Sequence, residues 1–97
     1  MDDTNETLQE EQEEALIKVG KDAKTLLQDR VFMDAIQRMS NYFTSAMFLT
    51  EPHESKKREG LYHQAISLQA VVDLLAQDVS VAEDILSRRE ATKESNQ

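Results

Sequence analysis

The chain has no cysteine, one proline and two glycines in 97 residues. Without cysteine there is no disulfide, no thiolate metal site and no thiol nucleophile. With so few turn formers, folds made of many short strands are disfavoured, because every reversal needs Gly, Pro or Asn chemistry. Only two histidines occur. His53 and His63 form no His-x3-His or H-E-x-x-H pattern, so they read as surface side chains rather than metal ligands. There is no Gly-rich phosphate loop, and no serine has a nucleophile-elbow context. Glu83 and Asp84 are neighbours on a helix and point apart, so they do not share a proton. These absences predict a protein that is not an enzyme and needs no cofactor. No stretch reads as the roughly 18 apolar residues of a membrane span. The acidic N-terminus lacks the basic and apolar regions of a signal peptide. A soluble protein with no membrane partner is the expectation.

What the chain does have is charge and helical periodicity. The charged fraction is 31% and the net charge −8. Residues 1–14 hold seven acids (Asp2, Asp3, Glu6, Glu10, Glu11, Glu13, Glu14) and no base. The remaining residues carry 12 acids against 11 bases. The acidity therefore belongs to one end, and residues 1–7 read as an acidic disordered tail.

Thr7-Leu8-Gln9-Glu10 has the form of a capping box, and acids suit a helix start. A first helix is predicted from Leu8 to Gln28, with Leu16, Val19, Ala23 and Leu26 as its inward stripe and Ala15 and Leu27 beside it. The register slips at Gln28-Asp29-Arg30, where Asp29 is a candidate N-cap. A second helix follows over 30–49, with Phe32, Ile36, Met39, Phe43 and Ala46 at 4-3-4-3 spacing. Met33, Met39 and Met47 read mainly as core filler. Pro52 ends that helix and marks a turn at 49–55.

The third helix opens near Pro52 or Glu54. Its apolar residues fall at 61, 65, 68, 72, 75, 79, 82 and 86, the seam of a helix packed on another helix. Gly60 lies within it and suggests a close helix approach, since an interior glycine costs about 1 kcal/mol relative to alanine. Ser80-Val81-Ala82-Glu83 offers a second capping box, but the heptad runs through it, so one helix to Glu90 is predicted. Residues 91–97 read as a frayed polar tail.

The predicted fold is all-α: an antiparallel helical hairpin spanning 8–90, with coiled-coil-like packing. Helices 1 and 2 form one arm, broken near residues 28–30, and helix 3 forms the other. Its intrachain seam is Phe32, Ile36, Met39 and Phe43 against Leu75, Val72, Leu68 and Leu61, with Ala65 and Val79 in the same stripe. Helix 3 carries more apolar surface than one partner covers. Tyr62, Ile66, Val71, Leu74, Val81 and Ile85 are candidates for an intermolecular stripe, which predicts a homo-oligomer. Two basic clusters, Lys56, Lys57 and Arg58, then Arg88 and Arg89, are candidate contacts for phosphate or an acidic partner. They lack aromatic interleaving, so DNA is the weaker candidate.

Leu26-Leu27-Gln28-Asp29, Phe32, Thr50-Glu51-Pro52, Arg58-Glu59, Leu61-Tyr62 and the apolar run from Leu68 to Leu75 together resemble small helical proteins of tailed bacteriophages. The resemblance covers residues 26–79. It implies a component of virion assembly or DNA packaging in the head, neck or packaging apparatus, with larger phage proteins as partners. It implies a place in the host cytoplasm and the virion. A small terminase subunit, which forms rings through helical hairpins, is one version. The departure is that no DNA-binding motif precedes the hairpin here. The alternative class is an acidic regulatory module that docks on a host or phage protein.

Overall fold

The computed structural model describes the backbone of residues 2–95 and the side chains of residues 6–95. Met1, in the predicted acidic tail, and Asn96 and Gln97, in the predicted polar tail, lie outside the described residues. Three α-helices and no strand occur among the described residues: α1 (Asp2–Gln28), α2 (Arg30–Phe48) and α3 (Ser55–Ser95). The all-α class follows from the composition as expected.

The helix boundaries have local causes. α1 ends one residue before Asp29, whose extended backbone (φ −73°, ψ 121°) breaks the helical run. The Asp29 Oδ1 accepts from the Phe32 N–H at 2.8 Å, which caps α2. α2 closes at Leu49, where the Thr50 hydroxyl donates to the Met47 carbonyl at 2.7 Å. Ahead of α3, the Glu54 carboxylate reaches back to the Glu51 N–H at 2.8 Å, which is one half of a capping box.

Both ends extend further than the sequence predicts. α1 begins at Asp2, not Leu8, so residues 2–7 of the predicted disordered tail are helical. The Thr7–Glu10 box lies inside the helix rather than at its start. Glu6 stands near the start of the helix, where the dipole favours negative charge. α3 continues to Ser95, past Glu90, so residues 91–95 of the predicted frayed tail are also helical; it runs unbroken through Ser80.

Two compact units divide the chain: residues 1–25 with 75–97, and residues 26–74. In the first unit, α1 packs on the C-terminal half of α3. The buried side chains are Ile17, Ala23, Ala82 and Ile85. Gly20 lies against Ala82 and the Asp78 carbonyl: a Cβ at position 20 would stand 2.6 Å from that oxygen. The order of contacts, Glu13 with Arg89 and Gly20 with Ala82, makes these segments antiparallel.

The inward face of α1 is therefore Ile17, Gly20, Ala23 and Leu27. Leu16, Val19 and Leu26, three of the four residues predicted to face inward, are exposed. Close approach at Gly20 turns the helix away from the phase that its leucines suggest. On α3, Ile85 is 3% exposed and Leu86 is 41% exposed, which corrects two assignments at once. Within the first unit the inward residues of α3, Asp78, Ala82, Ile85 and Arg89, recur at 4-3-4, so the face that meets α1 passes through Ile85 rather than Leu86.

The second unit packs α2 on the N-terminal half of α3. Phe43 is its one buried large side chain, and Tyr42 meets its ring edge-on at 5.7 Å. Phe32, Ile36, Ala46 and Met47 from α2, with Leu61, Ala65, Leu68 and Val72 from α3, are half-buried in the same unit. Arg58 ties α3 to the preceding turn, with Nε donating to the Thr50 hydroxyl at 3.2 Å and Nη2 to the Glu51 carbonyl at 3.3 Å. Gly60 has nothing within 4 Å of where a Cβ would stand, so the predicted close approach occurs at Gly20 instead.

Candidate interaction surface

The residues predicted as an intrachain seam are all half-buried or buried except Met39, which is exposed. Met39 shares a groove with Leu68, its predicted partner, and Phe43 lines the same groove, whereas Leu61 sits with Ala46 and Leu49 rather than with Phe43. The Arg58 tie to Thr50 and Glu51 draws the start of α3 toward the end of α2 and sets this register. Val79 and Leu75, both half-buried, belong to the first unit.

The six residues predicted as a second stripe do not share one face. Tyr62 and Val71 are nine residues apart, which at 3.6 residues per turn places them on opposite sides of α3. Tyr62, Ile66, Val71, Leu74 and Val81 are exposed, and Ile85 is in the core. The sequence reading missed a more coherent stripe on α2. Val31, Ala35, Met39, Tyr42, Ala46 and Leu49 fall in a band about 80° wide at 100° per residue. Val31, Met39, Tyr42 and Leu49 are exposed large hydrophobics. The 4-4-3-4-3 spacing is legible in the sequence, but one of its members, Met39, also falls in the predicted seam.

This stripe borders a furrow between α2 and α3 within the second unit. One end is lined by Tyr42, Ala46, Leu49 and Leu61. The other is lined by Met39, Phe43, Leu68 and Val71 and holds about 450 Å³. On α2 the lining residues 39, 42, 46 and 49 recur at 3-4-3. On α3, residues 57, 61, 64, 68 and 71 recur at 4-3-4-3. That spacing presents alternating ridges and gaps to an incoming helix.

The basic residues are largely engaged within the chain. Arg89 grips two carboxylates of α1: Nη1 donates to Glu14 at 2.6 Å, and Nε and Nη2 donate to Glu13 at 3.3 and 3.1 Å. Hydrogen bonds from Glu14 first, then Glu13, raise the Arg89 pKa further above its ordinary value. Arg88 pairs with Asp84 at 3.3 Å and Lys57 with Glu54 at 3.8 Å. Arg58 is held at the turn. Of the five candidate phosphate contacts, only Lys56 makes no such contact among the described residues. His63 is exposed and stands 3.7 Å from Glu59, one turn away; His53 is exposed in the turn. Among the described residues, no three His, Cys, Asp or Glu side chains converge as a metal site.

α3 is long and apolar enough to cross a membrane by length and composition alone, contrary to the sequence reading. Its apolar middle also carries Asp73 and Asp78, each costing about 2.5–3.5 kcal/mol at a bilayer centre. The same helix supplies Ala82 and Ile85 to the first unit's core. Only 6% of that apolar stretch is buried within the chain.

Comparison with protein-family models, with curated proteins and with solved structures found no match to any of the three.

Proposed function

We propose that this chain is a non-enzymatic assembly protein that acts by binding copies of itself through apolar helix faces. The subunit on this reading is an antiparallel helical hairpin, with α1 and α2 as one arm and α3 as the other. The resemblance of residues 26–79 to small helical proteins of tailed bacteriophages supplies the setting. That setting is a phage head, neck or DNA-packaging apparatus, reached from the host cytoplasm, with larger phage proteins as further partners.

One observation carries the reading: the chain leaves too much apolar surface in water. Large apolar side chains are exposed on all three helices, with Phe48 85%, Leu49 82% and Val31 73% exposed. Each such side chain left wet forgoes about 1.5–3 kcal/mol of burial. A second copy is the one partner always present at the concentration of the chain itself.

Light scattering on a sizing column tests this. A defined multiple of 11.1 kDa is expected. A single 11.1 kDa species at every concentration tried would refute self-association and shift the weight to a module that docks on a different protein.

A further inference from the structure

We infer that the outer half of α1 is an electrostatic latch: Arg89 holds it against α3, and weakening that grip lifts it off while both helices stay folded. The latch lies within the first unit and does not depend on self-association.

Three observations carry it. The first is what the grip holds. Residues 6–12 of α1 are all exposed, Leu8 among them, and α3 beyond Arg89 is exposed through Ser95. No apolar contact seals the two helices there. An open furrow of about 710 Å³ runs between them instead, with Glu6 and Glu10 on one wall and Ile85, Arg88 and Thr92 on the other. The second is the nature of the grip. Among the described residues, Arg89 makes all three hydrogen bonds between side chains of α1 and α3. The other ion pair across these helices, Lys24 with Glu83, is 3.7 Å long between two mostly exposed side chains. Arg88 lines the same furrow but turns to Asp84 of its own helix. Ion pairs this close to water are weak and screened by salt, so the latch yields to ionic strength.

The third is the packing beneath. Gly20 and Ala23 face α3 with almost no side chain to anchor them, and the antiparallel order sets Ile17 level with Ile85 at the outer edge of the core. Residues 6–12 are already helical with no buried contact, so α1 does not need α3 to keep its shape. Opening therefore adds Ile17 and Ile85 to the apolar surface that Leu16 and Leu86 already expose.

The absence of cysteine permits the test. Nitroxides are placed at Gln9→Cys and Thr92→Cys, on facing walls of the furrow. The labelled chain is mixed into an excess of unlabelled chain, so that only separations within one molecule are read. Dipolar electron paramagnetic resonance reads the separation, and circular dichroism reads helicity. In low salt one short separation is expected. In molar salt, where the Debye length falls to about 3 Å, a longer and broader one is expected at unchanged helicity. Arg89→Gln should open the latch in low salt. Arg88→Gln, the same charge change one residue away, should leave it closed. A separation indifferent to salt overturns the inference. So does opening that comes only with loss of helicity, and so does an equal response of the two arginine variants. Should Arg89→Gln unfold the chain, the salt series on the labelled parent decides alone.

Discussion

Alanine at Gly20 and alanine at Gly60 are the same chemical change on two helices, and the structure gives them opposite signs. In an open helix interior, Gly→Ala stabilises by about 0.5–1 kcal/mol, because glycine loses more backbone entropy on folding. Gly60 meets that condition within the chain, since nothing lies within 4 Å of the new methyl position. Gly20 receives the same entropic gain and a larger penalty. Its methyl would collide with the Ala82 Cβ and stand 2.6 Å from the Asp78 carbonyl oxygen. That oxygen is backbone in the middle of α3 and cannot rotate away. The two segments must move apart, which loosens Ile17, Ala23 and Ile85 together. Overpacking of this kind costs about 1–3 kcal/mol. Thermal melts followed by circular dichroism, at one fixed concentration because self-association of the kind proposed would raise the midpoint, should therefore separate the two variants. At about 4–8 °C per kcal/mol, Gly20→Ala should melt roughly 10 °C below Gly60→Ala. If Gly20→Ala melts at or above Gly60→Ala, the Gly20–Ala82 contact does not set the packing of the first unit.

Other perturbations address the remaining joints. Asp29→Ala should cost about 0.5–2 kcal/mol in urea unfolding through the lost cap on α2, while Asp29→Asn should retain most of the stability; equal losses from both would discount the cap. Phe43→Ala empties the only large buried position of the second unit and should cost about 3–5 kcal/mol, enough to unfold a small domain, and a loss below 1 kcal/mol would contradict its burial. Arg89→Lys keeps the charge but loses the planar fork that spans Glu13 and Glu14, so its melting midpoint should fall, with the gap from wild type narrowing in molar salt; a gap indifferent to salt would deny the ionic origin. With four of five basic candidates engaged internally, duplex DNA should bind no tighter than about 1 μM at physiological salt by fluorescence anisotropy, and tighter saturable binding would restore DNA as a partner.

Much of the fold was readable from the residues. The break at Asp29, the cap it forms and the turn at Pro52 all carry short-range chemical signatures, and each falls where that chemistry puts it. Helix phase was harder to read. On α1, counting apolar residues favours Leu16, Val19 and Leu26, whereas the packing is decided by Gly20, which adds nothing to an apolar count and matters because it lacks a side chain. On α3, the heptad counted from Leu61 selects Leu86, whereas the face that packs on α1 runs through Ala82, Ile85 and Arg89, and which face that is depends on the partner helix rather than on the apolar count. The α1 error changes what is available to solvent, because it moves Leu16, Val19 and Leu26 from the core to the surface.

The surface argument also depends on phase. A stripe read off α3 alone joins Tyr62 to Val71 although they lie on opposite sides of the helix, so charging such a set would perturb two flanks at once. The α2 face is different, because one flank holds both a regularly spaced ridge and the furrow beside it. Tyr62 and Ile66 supply apolar area on the other flank with no comparable groove beside them, so a substitution meant to test one flank has to leave the other untouched.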